Sequence, residues 1–169
     1  MNTKISLKKS AVILIDMQEC FVNSREKRQI ISGQISVIKF CAENNIPIMV
    51  FKFKNHYAGN ICHDLTGELK NISWRNIFRL EKEKNDAFSN KALNFLLRIT
   101  RKKTLLIMGV NAKACVLETS KTAVKKGYTV IIDKDLISGW GCKHDRAIQE
   151  NWYRKNTIYI NNCLSIFKL

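Results

Sequence analysis

The sequence predicts an α/β protein: a three-layer α/β/α fold on a doubly wound, mostly parallel six-stranded sheet. Three observations predict it. Short apolar runs alternate with stretches of helical spacing along the whole chain, the order that strand–helix–strand crossovers produce. Most of the runs are apolar throughout rather than at alternate positions, as strands covered on both faces must be. Chemistry-bearing residues stand where those runs end, at the rim where such sheets carry their sites.

AVILI (11–15) is the first strand and stops at Asp16. Ile31, Ile35, Ile38 and Ala42 then mark a helix, which NNIP closes at Pro47. IMVFKF (48–53) is the second strand, followed by a polar, irregular stretch, KNHYAGNICHDLTGELKN (54–71). IFRL (77–80) is a weaker third strand. ALNFLLRI (92–99) has a helical stripe, and TLLIMGV (104–110) is a fully buried fourth strand. Val116, Ser120, Ala123 and Val124 mark a helix that Gly127 caps. TVIID (129–133) is the fifth strand, HDRAIQENWYRKN (144–156) is helical, and TIYI (157–160) is the sixth strand. Asp16 and the turn GVNAKAC (109–115) therefore end the first and fourth strands. A sheet whose order reverses between those strands makes their ends neighbours.

At 169 residues and 46% apolar, the chain is expected to form one domain over 1–169, with no linker or repeat dividing it. Its basic head and apolar start imitate a leader. The apolar run meets Asp16 after five residues, short of the roughly 7–15 that a leader needs, and no run approaches a membrane span. A cytoplasmic protein with no membrane partner is expected. The six cysteines form no CxxC pair, so most are expected reduced and buried, with one free for chemistry. The net charge of +15 invites an anionic partner. However, the longest basic block is RKK at 101–103, and no zinc-finger or helix-turn-helix pattern accompanies it. The expectation is a solvated basic surface without a nucleic-acid partner.

Three segments carry chemistry: ILIDMQECF (13–21), KEKNDAF (82–88) and GVNAKACVLETS (109–120). The first supplies an acid, the second lysines ahead of an aromatic, and the third a thiol just inside a helix start. Their identities, order and spacing resemble the isochorismatase-like cysteine hydrolases, the superfamily of nicotinamidases, N-carbamoyl amidases and isochorismatases. The resemblance runs from about residue 9 to about residue 160. It implies the Rossmann-like hydrolase fold of that superfamily and a triad of Asp16, Lys82 and Cys115, with Lys84 as the alternative lysine. It also implies a cis peptide between Val110 and Asn111, an oxyanion hole from the amides of Asn111 and Cys115, and a substrate pocket bordered by Gln18, Phe21, His56 and Tyr57. Self-association as a homodimer or larger is a further implication.

The chemistry explains these residue types. A free thiol has a pKa near 8.5 and must lose its proton to attack a carbonyl. A helix start and a nearby ammonium both favour that loss. Asp16 is expected to take the proton, with Lys82 holding the carboxylate, and the attacked bond is expected to be an amide-type C–N bond of a small molecule.

The sequence also departs from its relatives. Nicotinamidases hold a metal with one aspartate and three histidines after the second strand. Here Lys54 stands at the aspartate position, and only His56 and His63 fall near the histidine positions, so no metal or other cofactor is expected. Isochorismatases, which cleave an enol ether, have glycine where Cys115 stands, and the cysteine argues against that chemistry. A catalytically idle member of the fold, acting through its surface, is the alternative of another class. His144 reads as a helix-start residue. Trp140 and Gly141 lie on a loop that borders either the pocket or an oligomer contact.

Overall fold

The structure is a computed structural model and describes residues 5–54, 59–73 and 75–167. Its strands are β1 (Ser10–Ile15), β2 (Ile48–Phe53), β3 (Ile77–Lys82), β4 (Thr104–Val110), β5 (Thr129–Asp133), β6 (Ile137–Ser138) and β7 (Ile158–Ile160). They form one sheet in the order β3-β2-β1-β4-β5-β7, with β6 beside β4, and every strand pairing is parallel. The chain starts in the middle of the sheet, winds to one edge and then to the other. β1 and β4 are therefore adjacent, and Ile15 lies opposite Gly109. That reversal point is where the site sits.

The helices are α1 (Arg25–Arg28), α2 (Ile31–Glu43), α3 (His63–Lys70), α4 (Lys91–Ile99), α5 (Cys115–Lys125), α6 (Lys143–Asn156) and α7 (Leu164–Phe167). Alternate side chains of a strand face opposite ways. Val12 and Leu14 of β1 accordingly pack with α2 and α3 through Val37, Ile38, Leu65 and Leu69. Ala11, Ile13 and Ile15 pack on the other face with α4, α5 and α6 through Leu93, Leu97, Val116 and Tyr153. Sealing a Leu or Ile between such layers stabilises by roughly 1.5–3 kcal/mol each. This double covering is why the strands are apolar on consecutive residues. Gly127 follows the end of α5 at φ +81°, the left-handed cap that its lack of a side chain permits.

Two expectations need correction. The sheet has seven strands, not six, among the described residues, because β6 adds a two-residue strand beside the end of β4. Two residues are too short to show a period. The stretch read as irregular contains α3, whose buried face is only Leu65 and Leu69, four residues apart. Two apolar positions in a polar segment are a weak helical signal, and packing against α2 supplies the rest.

Candidate active site

Asp16 follows β1 directly and adopts φ +51°, a left-handed conformation that aspartate tolerates better than most residues. Its amide is fixed by the Phe51 carbonyl at 3.1 Å. Lys82 ends β3, two strands away, opposite Phe53 of β2. Its chain crosses the Phe53 ring, with Nζ 4.7 Å from the ring centre, and its ammonium reaches Asp16 Oδ2 at 2.7 Å. Nζ also donates to the Lys84 carbonyl at 3.2 Å. Lys84 thus contributes backbone, and the lysine beside the acid is Lys82. Both charged side chains are out of water, at 0% and 2% exposure.

Cys115 is the first residue of α5. β4 reaches it through a cis peptide between Val110 and Asn111 and a short turn. That turn is held from behind: Ala112 N donates to Ser138 O at 2.7 Å, Lys113 N to Gly139 O at 3.4 Å, and Tyr153 Oη to Ala112 O at 2.7 Å. The small β6 therefore buttresses the turn that presents the thiol. Two glycines make the approach possible. Gly109 stands at φ +125°, and a side chain there would overlap the Ile15 carbonyl. One at Gly139 would overlap the Asn111 side chain.

The amides of Ala112, Lys113, Ala114 and Val116 all have backbone acceptors. Among the described residues, no acceptor is paired with the amides of Asn111 or Cys115, the two expected to form the oxyanion hole. The structure brings together Asp16, Lys82, Cys115 and these amides at one rim.

The electrostatics bear on the proton that Asp16 is expected to take. Burial, and next the negative charge of Asp16, push the Cys115 thiol up to about 11, against the lowering pull of Lys82. The resting sulfur therefore keeps its proton and donates to Asn85 Oδ1 at 3.5 Å. Burial also raises the Asp16 carboxyl, more than Lys82 lowers it. Asp16 Oδ1 is buried without a hydrogen-bond partner, and the Asp16 carboxylate and the Cys115 thiol each shift the other's titration.

The expected pocket residues divide. Phe21 is half-buried and meets Phe53 edge to face at 6.2 Å. Gln18 is nearly sealed, and its amide is spent on backbone: Oε1 accepts from Phe53 N at 2.6 Å, and Nε2 donates to Gly59 O at 2.9 Å. It anchors a loop rather than offering a free polar group, although it touches the floor of a cavity of about 370 Å³. His56 and Tyr57 lie outside the described residues. A second cavity, of about 380 Å³, borders Lys82, Lys84 and Asn90. Among the described residues, no group of three metal-binding side chains comes together. Trp140 is largely buried edge to face against Tyr153 and lines a small cavity with Gln29, Ser138 and Arg146, and His144 lies exposed in the first turn of α6.

Sequence reasoning missed Asn85, which touches the sulfur from an exposed position, and Asp86, whose carboxylate binds Phe88 N and the Thr122 hydroxyl at 2.8 Å each. Asp86 stands inside the KNDAF stretch, where an aspartate before a short turn signals a cap. Nothing in the sequence marks the reach of Asn85 across to α5.

Comparison with known proteins agrees with this fold. A family model described as the isochorismatase domain matches residues 10–151. Isochorismatase family protein 1A of Dictyostelium discoideum is 28% identical over 160 residues, covering 93% of this chain and 76% of that protein. A nicotinamidase of Staphylococcus aureus superposes with a TM-score of 0.79 at 18% identity, over 92% of this chain and 99% of that one. A ribonuclease of Caenorhabditis elegans superposes at 0.83 with 20% identity, over 99% and 84%. Neighbours this distant in sequence share the architecture, and their reactions differ.

Proposed function

The chain belongs to the isochorismatase family, and from that premise we propose that it is a thiol-dependent hydrolase opening a C–N bond of a small carboxamide or N-carbamoyl compound. Asp16 accepts the Cys115 proton, and the sulfur attacks the carbonyl carbon, forming a C–S bond while the carbonyl electrons move to oxygen. The amides of Asn111 and Cys115 bind that oxyanion. Collapse breaks the C–N bond as Asp16 returns the proton to the departing nitrogen, which leaves a thioester. Asp16 then deprotonates water for attack on the thioester, and the sulfur leaves with the proton. Lys82 holds the carboxylate in position throughout.

The observation that carries this reading is the buried Asp16–Lys82 pair at 2.7 Å where β1 ends, with Cys115 opening α5 after the adjacent β4. The nicotinamidase neighbour lends the amide class. Ammonia release from a panel of primary carboxamides and N-carbamoyl amines tests it, and equal release by wild type and Cys115→Ala would end it.

A second reading, a catalytically idle member of the fold, is favoured by one observation: Cys115 is only 6% exposed. Thiol reactivity separates the two, because an idle Cys115 alkylates no faster than the buried Cys41. The proposal includes a cytoplasmic location and a homodimer or larger assembly, the latter read by light scattering. Among the described residues no helix is long and apolar enough to cross a membrane.

A further inference from the structure

Folding gathers at the opposite rim the charge that the sequence scatters. A groove of about 820 Å³ lies beside α4, at the amino ends of β1, β4 and β5. Lys91 and Arg98 of α4 line it, with the RKK run at 101–103, Lys9 and Lys126. No Asp or Glu lines it.

Elsewhere on the surface, Arg28, Lys39, Lys54, Lys121, Arg146 and Arg154 have a carboxylate partner, while others such as Lys70 and Lys143 are in no ion pair among the described residues. Among the described residues none of the seven groove cations is paired with one. Lys102 is partly withdrawn from water, with Nζ on the Lys8 carbonyl at 2.8 Å. β4 separates this groove from Cys115 by seven residues, roughly 20 Å at about 3.3 Å per residue. The groove is therefore separate from the thiol site.

Seven like charges without a counter-charge repel one another, and a bound polyanion relieves that repulsion while releasing its own counterions. The groove also holds an aromatic. Phe95 is 54% exposed and lies three residues before Arg98, a face on which a base can stack. A bilayer surface is flat and offers no such ring partner, whereas a single strand carries both phosphates and bases.

We propose that this groove binds single-stranded nucleic acid, with phosphates on the cations and a base on Phe95. The inference reverses the expectation drawn from the linear sequence, where the longest basic block was three residues.

Fluorescence anisotropy tests it with the full chain and a labelled single-stranded oligonucleotide of mixed sequence, as RNA and as DNA, over a salt series. The expected result is binding whose log Kd against log salt has a slope of about 2 or more, equivalent to about three phosphates. Lys91→Glu with Arg98→Glu is expected to weaken binding at least about tenfold. Lys70→Glu with Lys143→Glu, an equal charge change elsewhere, is expected to alter it no more than about twofold. Phe95→Ala is expected to weaken oligonucleotide binding about tenfold while leaving inorganic polyphosphate binding unchanged. No salt-dependent binding, unchanged binding by the α4 double variant, or equal weakening by both double variants overturns the proposal. So does a Phe95→Ala variant that binds the oligonucleotide as wild type does, since the groove would then be a general polyanion surface. Thermal melting of each variant confirms that the fold is intact before its binding is scored.

Discussion

Lys82 Nζ lies 2.7 Å from Asp16 Oδ2, and neither side chain is more than 2% exposed. An ion pair buried this completely is a poor source of net stability, because removing two charges from water costs about what their attraction returns. The pair lies at the sheet's reversal point, where β1 and β4 end side by side, and under the proposed function it holds the base rather than the fold.

Removing one partner should expose that cost. Lys82→Met leaves the Asp16 charge buried and unpaired, and is expected to lower stability by about 3–5 kcal/mol in urea unfolding. Asp16→Asn combined with Lys82→Met should recover most of that loss. A double variant no more stable than Lys82→Met would show that the lysine acts through packing on Phe53 instead.

The thiol should behave as a neutral group at rest. With Cys115 pushed up to about 11, its alkylation by iodoacetamide is expected to climb about tenfold per pH unit through neutrality, without a plateau near pH 7. A rate already flat at pH 7 would mean a resting thiolate. Peptide mapping assigns the alkylated residue.

Stability should decline on the alkaline side. Folding raises the Cys115 thiol from 9.0 to about 11, Cys62 to about 11 and Cys41 to about 12. A raised acid binds its proton more tightly when folded, so the associated stability is complete below pH 9 and is lost as pH rises toward 11–12. Each thiol is expected to contribute a slope of about 1.4 kcal/mol per pH unit in that window. A flat profile from pH 9 to 11 in denaturant titrations would contradict the burial of these groups.

Gly109→Ala should be among the most damaging single changes. The position holds φ +125°, and a methyl there overlaps the Ile15 carbonyl. A loss of about 4 kcal/mol or more is expected in thermal melting, with the variant failing to fold as the extreme. A melt close to wild type would mean that β1 and β4 separate easily at their carboxyl ends.

How much was legible in the sequence followed from the range of each interaction. IMVFKF, TLLIMGV and TVIID match β2, β4 and β5 residue for residue, because burial on both faces writes itself into consecutive apolar positions. The positions of Asp16, just past β1, and of Cys115, at the start of α5, were legible because apolar runs stop just before them. α3 and β6 were not, since two leucines and a two-residue pairing leave almost no local pattern. The Asn85 contact and the seven-cation groove were invisible for the same reason. Both join segments far apart in the chain, and only the crossovers bring them together. The helix start and the ammonium that favour loss of the Cys115 proton were legible, while the burial that outweighs them has no local mark.

The central claim is that the Cys115 sulfur becomes covalently attached to the carbonyl half of its substrate. Intact-protein and peptide mass spectrometry on rapidly quenched mixtures with the carboxamide that releases ammonia tests this most directly. The account predicts an acyl mass increment on the peptide containing Cys115, discharged by hydroxylamine and absent from Cys115→Ala, which no longer releases ammonia. Ammonia release that persists at the wild-type rate in Cys115→Ala, with no acylated peptide in either protein, would contradict it.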